Sequence, residues 1–256
     1  MRVPFRPLAT AGVALSLMGA VPAACAAEIT NVVIVHGAFA DGSGWRKVSD
    51  LLEARGYRVS IVQQPLTSLE ADVAATRRVL ALQDGPAILV GHSYGGMVIS
   101  DAGRDDRVAG LVYVAAFQPD KGESLAALAD RRPVTDAVPG AIKATDDGYL
   151  YLDPKTFPAA FAADLPKDEA GFLARSQVFA AKRAFTAPAG DPAWKSKPSW
   201  ALIATRDRSI NPDLERDMAR RAQSKVWEVE ASHAAYASRP AEVAALIIDA
   251  AKAAAQ

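Results

Sequence analysis

Ser93 lies at the centre of Gly91-His92-Ser93-Tyr94-Gly95-Gly96, directly after the apolar run Ala87-Ile88-Leu89-Val90. A strand that feeds a Gly-x-Ser-x-Gly turn and then a helix raises the serine hydroxyl on a sharp elbow at the carboxyl end of a sheet. The flanking glycines avoid a collision between Cβ atoms and the neighbouring strand or helix. A serine hydroxyl is a weak nucleophile at neutral pH. It needs a base within hydrogen-bond reach, and the base needs a third group to hold its tautomer.

The chain has three histidines, so the search for the base is short. His36 ends the first strand, in His36-Gly37-Ala38-Phe39. His92 adjoins the serine and is expected to point away from it as a buried structural side chain. His233 follows the last strand, where a loop can reach the elbow along the shared sheet edge, and it is the candidate base. The candidate acid is Asp207, directly after the strand Ser199 to Ala204. The neighbouring Arg206 and Arg208 would keep it ionised if their side chains turned towards it. Asp213, in the first turn of a helix, and Asp120, after the strand Val108 to Val114, are the alternatives. Charge that develops on a carbonyl oxygen needs two preorganised N–H donors. The expected donors are the backbone of Tyr94 and that of Ala38, with Phe39 as runner-up.

The elements that must position these groups alternate along the chain. Strands are expected at Ile29 to Val35, Arg58 to Val62, Ala87 to Val90, Val108 to Val114, Ser199 to Ala204 and Lys225 to Val229. Helices are expected at Trp45 to Arg55, from a capping box at Thr67-Ser68-Leu69-Glu70 to about Leu82, from Asn211-Pro212 to Arg221, and from Pro240 onward. Strands linked by helices imply parallel pairing. The fold class is therefore α/β: a doubly wound, mostly parallel six-stranded sheet. From about 118 to 198 the alternation breaks into a proline- and aromatic-rich stretch, expected to form a helical cap inserted after the fourth strand. Its Tyr149, Tyr151, Phe157 and Trp194, with Phe39, are the candidate pocket walls.

With 29 basic and 29 acidic residues, the composition offers no basic stripe for nucleic acid. Residues 1–27 read as a secretory signal peptide: Arg2 and Arg6, an apolar run from Leu8 to Val21, then Ala24-Cys25-Ala26-Ala27. Cleavage is expected after Ala26 or Ala27, leaving residues 28–256 in a periplasmic or secreted protein. The unbroken apolar core is short for a bilayer span, which argues against stable membrane insertion. Pro22 fits a lipid-attachment box at Cys25 poorly. Cys25 is the single cysteine, so the mature chain would have no thiol nucleophile, disulfide or cysteine metal site.

Taken together, these residues resemble the α/β-hydrolase superfamily. The matching features are His36-Gly37-Ala38-Phe39 with Gly44-Trp45, the elbow Gly91 to Gly96, Asp207 after a strand, and His233 near the end. The compact layout is similar to the branch of methylesterases and hydroxynitrile lyases and its bacterial esterase relatives. The resemblance implies Ser93 as nucleophile, Asp207 as acid, His233 as base and the Ala38 and Tyr94 N–H groups as oxyanion donors. There are departures. The hydroxynitrile lyases carry threonine and lysine where this chain has Gly37 and Ala234, which argues against cyanohydrin cleavage. Ser93 in place of an aspartate argues against dehalogenase and epoxide hydrolase chemistry. The expected activity is hydrolysis of small apolar or aromatic carboxylic esters, with no cofactor or metal and a small-molecule ester as the partner. Thioester, lactone or amide hydrolysis, perhydrolysis and a non-catalytic binding protein are the alternatives.

Overall fold

The computed structural model describes Met1, Arg2, Pro4 and residues 28–256. The expected signal peptide, its cleavage site and Cys25 otherwise lie outside the described residues. The chain begins its sheet with β1 (Asn31–Val35), then a 3-10 turn and α1 (Arg46–Glu53), β2 (Arg58–Val62), α2 (Leu69–Leu80), β3 (Ala87–Ser93), α3 (Gly95–Ala102) and β4 (Val108–Ala116). A cap follows: α4 (Leu125–Arg131), β5 (Ile142–Ala144), β6 (Tyr149–Leu152), α5 (Phe157–Phe161), α6 (Lys167–Ser176), β7 (Ala180–Ala181) and α7 (Lys182–Thr186). The sheet then resumes with β8 (Ser199–Ala204), α8 (Pro212–Arg221), β9 (Lys225–Val229), α9 (Ala235–Ser238) and α10 (Pro240–Ala254).

Six strands pair in the order β2-β1-β3-β4-β8-β9, every pair parallel. Helices flank the sheet, α1 packing with α10 and α2 with α3. Central strands read as unbroken apolar runs because both their faces are covered: Val32, Val33, Ile34 and Val35 of β1 and Ile88, Leu89 and Val90 of β3 have no exposed surface. Each such side chain contributes roughly 1.5–3 kcal/mol by burial. The chain runs from β1 out to β2, then crosses back to β3 on the other side of β1. A crevice opens at such a reversal, outside the carboxyl ends of the strands. The loop after β1 and the elbow after β3 both lie there.

Several boundaries differ from expectation. The helix expected from Trp45 opens as a 3-10 turn over Gly42–Trp45, capped by Asp41, and turns α-helical only at Arg46. The capping box does not form. Ser68, not Thr67, caps α2, its hydroxyl accepting the Ala71 N–H at 3.1 Å. The cap is not purely helical either. β5, β6 and β7 form a small antiparallel sheet. These strands are two to four residues long, too short for alternation to mark them in the sequence. Among the described residues no helix is long and apolar enough to cross a membrane.

Candidate active site

Ser93 has φ of +52°, a left-handed conformation rare for a residue with a side chain. Sheet and helix hold it there. The Phe117 N–H bonds to Ser93 O at 3.2 Å, and β4 bulges at Ala115 opposite the elbow. The turn is possible only because Gly95 lacks a side chain. A Cβ there would sit 2.5 Å from Val35 O and 2.9 Å from His36 O. At Gly37 a Cβ would sit 2.7 Å from His92 Nδ1 and 2.8 Å from Ser93 Cβ. That space has no room for a threonine.

His233 and Asp207 meet in a pair closed to water. His233 Nδ1 lies 2.6 Å from Asp207 Oδ2, and both residues are at most 2% exposed. The other carboxylate oxygen, Oδ1, accepts the N–H groups of Ser209 at 2.6 Å and Ile210 at 2.9 Å. Three donors thus surround the carboxylate, and its bond to the imidazole orients the ring with Nδ1 as the donor. The loops that carry the pair are joined to each other, Thr205 N–H to Val229 O and Arg206 N–H to Ala231 O. The cap anchors the base loop through Ala234 N–H to Phe161 O at 2.9 Å.

The arginines beside Asp207 do not turn towards it. Arg206 pairs with Glu230, and Arg208 pairs with Asp136 at 3.0 Å. Backbone N–H groups, not guanidinium groups, bond this carboxylate. Neither alternative acid reaches His233. Asp213 pairs with Arg216 at 2.8 Å and Arg132 at 3.2 Å, and Asp120 pairs with Lys195 at 2.5 Å.

Ser93 and His233 border one cavity of about 500 Å³, together with Ala38, Phe39 and Tyr94. Among the described residues no hydrogen bond joins Ser93 Oγ to the His233 ring. Such bonds are commonly long without substrate and tighten in the complex. The N–H groups of Ala38 and Tyr94 donate to no turn, cap or side-chain acceptor among the described residues. Phe39 has φ of +60°, so the loop after β1 is also held in a left-handed turn.

The two remaining histidines are structural. His92 Nε2 lies 3.0 Å from the carbonyl of His233, so this nitrogen carries the proton. Burial, reinforced by neighbouring His233, holds the His92 pKa well below the ordinary histidine value, which keeps the ring neutral. His92 therefore tethers the base loop to the strand that bears Ser93. His36 Nδ1 donates to Gly37 O at 2.8 Å, and its Nε2 receives the Gln64 N–H at 3.4 Å. Burial lowers its pKa, with the Gly37 bond opposing.

Of the expected pocket walls, Phe39 lines the cavity and the other four do not. Tyr151 stacks on Phe179, the ring centres 4.9 Å apart. Its strand presents Leu150 and Leu152 to the cavity, and side chains alternate faces along a strand. The cavity likewise excludes Tyr149. Phe157 packs one layer back, stacked at 4.8 Å on Phe161, which does form the wall. Trp194 donates its indole N–H to Pro119 O at 2.7 Å, and its ring centre lies 5.4 Å from Lys195 Nζ and 5.9 Å from Arg221 Cζ. The actual walls include Phe117, Phe161, Phe185, Leu125, Val138 and Leu214.

Two buried carboxyls were not singled out by the sequence. They are Asp72 in α2 and Glu215 in α8. Glu215 is 4% exposed, and its Oε1 has no hydrogen-bond partner among the described residues. Burial, then the nearby Asp207 charge, raises its pKa well above the ordinary glutamate value. Among the described residues no group of three or more His, Cys, Asp or Glu side chains is placed to hold a metal ion.

Known proteins share this architecture. The family described as the alpha/beta hydrolase family matches over residues 32–246. A pyrethroid hydrolase of Sphingobium wenxiniae is 35% identical over 101 residues, 34% of this chain and 36% of that one. A carbendazim hydrolyzing esterase of Nocardioides is 39% identical over 118 residues, 39% of this chain and 47% of that one. Plant methylesterases also match. The matched stretches thus span less than half the length of these relatives. The crystal structure of a pyrethroid hydrolase from Sphingobium faniae superposes with a TM-score of 0.74 at 26% identity, covering 88% of this chain and 98% of that one.

Proposed function

The chain belongs to the alpha/beta hydrolase family, and from that premise we propose that it is a serine carboxylesterase acting on small, neutral, apolar or aromatic esters. The observation that carries the reading is the buried His233–Asp207 pair, 2.6 Å apart, opening on the cavity that also holds Ser93. His233 Nε2 takes the Ser93 proton as Oγ attacks the ester carbonyl. The oxyanion accepts the N–H groups of Ala38 and Tyr94. Asp207 stabilises the imidazolium, which then protonates the departing alcohol. Water attacks the acyl-enzyme with His233 again as base, and the acid product leaves with Ser93 restored.

The walls supply the substrate preference. The cavity volume falls within the roughly 300–1,000 Å³ usual for small-molecule sites, and the lining is mostly aliphatic and aromatic. The two arginines at its edge are neutralised: Arg132 by Asp213 and Asp217, Arg208 by Asp136. A carboxylate-bearing substrate finds no unpaired guanidinium there. The leader-like residues 1–27 support a periplasmic or secreted location. A test is turnover of p-nitrophenyl and aryl esters of graded acyl length, each with and without a free carboxylate. Neutral apolar esters are expected to be cleaved and Ser93→Ala to be inactive. Preference for the carboxylate-bearing series would refute the substrate class, and an active Ser93→Ala would refute the mechanism.

A further inference from the structure

Asp72 stands in the first turn of α2 with no exposed surface. A carboxylate at a helix start normally sits in water, where it complements the dipole at little desolvation cost. Asp72 instead uses both oxygens inside the protein. Oδ2 accepts the Tyr94 hydroxyl at 2.7 Å, and Oδ1 accepts the Leu66 N–H at 2.8 Å. Burial lifts its pKa to about 6, against the pull of these two bonds. The group is therefore charged at neutral pH. A buried charge with both oxygens bonded is costly to misplace.

Both donors connect to the site. Tyr94 follows Ser93 and lines the same cavity, and its own N–H donates to no turn, cap or side-chain acceptor among the described residues. Its phenol, with its pKa raised by burial and by Asp72, stays protonated as a donor. Its ring meets Phe185 of α7 edge-on, 5.8 Å between centres, and Phe185 meets Phe39 in the same way. Leu66 is held left-handed at φ of +53°, and its carbonyl receives the N–H of Ala181 in the cap at 2.8 Å.

We propose that Asp72 is a positioning residue for the oxyanion hole: its carboxylate clamps the Tyr94 side chain from behind, fixing the peptide N–H that meets the developing oxyanion, and through Leu66 it ties that peptide to the cap. The inference rests on the serine esterase reading. Asp72 touches no substrate and acts through Tyr94. An amide at position 72 has one acceptor oxygen for two donors, so Asp72→Asn loosens either Tyr94 or Leu66. Tyr94→Phe cuts the same link from the other end.

The test is steady-state kinetics on a neutral p-nitrophenyl ester, with the inhibition constant of a trifluoromethyl ketone, which forms an oxyanion on the enzyme. Asp72→Asn, Tyr94→Phe, the double variant and Ser93→Ala are compared. Loss of a well-aimed oxyanion donor costs about 10²–10³ in kcat, and a loosened one is expected to cost about 10-fold or more. KM should change by less than about twofold. Ketone binding should weaken in step with kcat, and the double variant should be no worse than the poorer single one. If Asp72→Asn does not fold, Tyr94→Phe alone carries the same expectations. An unchanged kcat, losses that multiply in the double variant, or ketone binding that stays tight while kcat falls would overturn the inference. An active Ser93→Ala would instead overturn the esterase mechanism beneath it.

Discussion

Replacing Asp207 with asparagine separates the electronic role of this carboxylate from its packing. The substitution keeps the shape, and Oδ1 keeps its two backbone donors, Ser209 N–H and Ile210 N–H. Those donors force the new amide nitrogen into the Oδ2 position, 2.6 Å from His233 Nδ1. An N–H donor then faces an N–H donor. The ring relieves this by moving its proton to Nε2, which removes the lone pair that accepts the Ser93 proton in the proposed mechanism. The imidazolium also loses its counter-charge. An ion pair about 4 Å between charge centres is worth roughly 4 kcal/mol at an effective dielectric of 20. With about 1–2 kcal/mol more for the wrong tautomer, kcat should fall roughly 10⁴-fold. KM should stay within about threefold, because the cavity walls are untouched. The assay is p-nitrophenyl ester turnover, paired with thermal unfolding to show an intact fold. A loss of kcat below about 10-fold in folded protein would refute the argument, because the carboxylate would then not be setting the imidazole tautomer.

Three further outcomes follow from buried groups. Asp72 has its folded pKa raised from 3.8 to about 6. Its contribution to stability is thus fully present below pH 4 and lost as pH rises through 6. The unfolding free energy of the wild type relative to Asp72→Asn should fall by about 3 kcal/mol across that window, read by urea titration at each pH. The raised Glu215 carboxyl has the same sign. Glu215→Gln should leave kcat at neutral pH nearly unchanged and become the more stable form as pH rises, which chemical denaturation at alkaline pH checks. Gly95→Ala puts a methyl group 2.5 Å from Val35 O. Its neighbours are backbone, so relief requires the elbow to move, and we expect a loss of about 3 kcal/mol or more with loss of turnover, measured by thermal unfolding and the ester assay.

The groups legible in the sequence are those fixed by strand ends. Ser93 ends one strand, Asp207 and His233 each follow another, and parallel strands end on one edge whatever else the chain does. β2, β8 and β9 fall where composition places them for the same reason. The pocket walls were not legible. Tyr149-Leu150-Tyr151-Leu152 alternates, but period two gives two faces and no sign for which one turns inward. The cap fold decides that, and it turns the leucines in. The supports of Asp207 were hidden too. Neighbouring arginines were visible as residue types, whereas the backbone donors that hold the carboxylate have no signature in the sequence. Asp72 was concealed by its ordinary place at a helix start.

In the proposed mechanism the Ser93 hydroxyl is the nucleophile, driven by a base that a buried carboxylate orients. Intact-protein and peptide mass spectrometry after reaction with a fluorophosphonate tests it most directly. One phosphonyl adduct per chain is expected, on the peptide bearing Ser93, formed slowly in His233→Ala and absent in Ser93→Ala. An adduct on another residue, or full esterase turnover by Ser93→Ala, would contradict it.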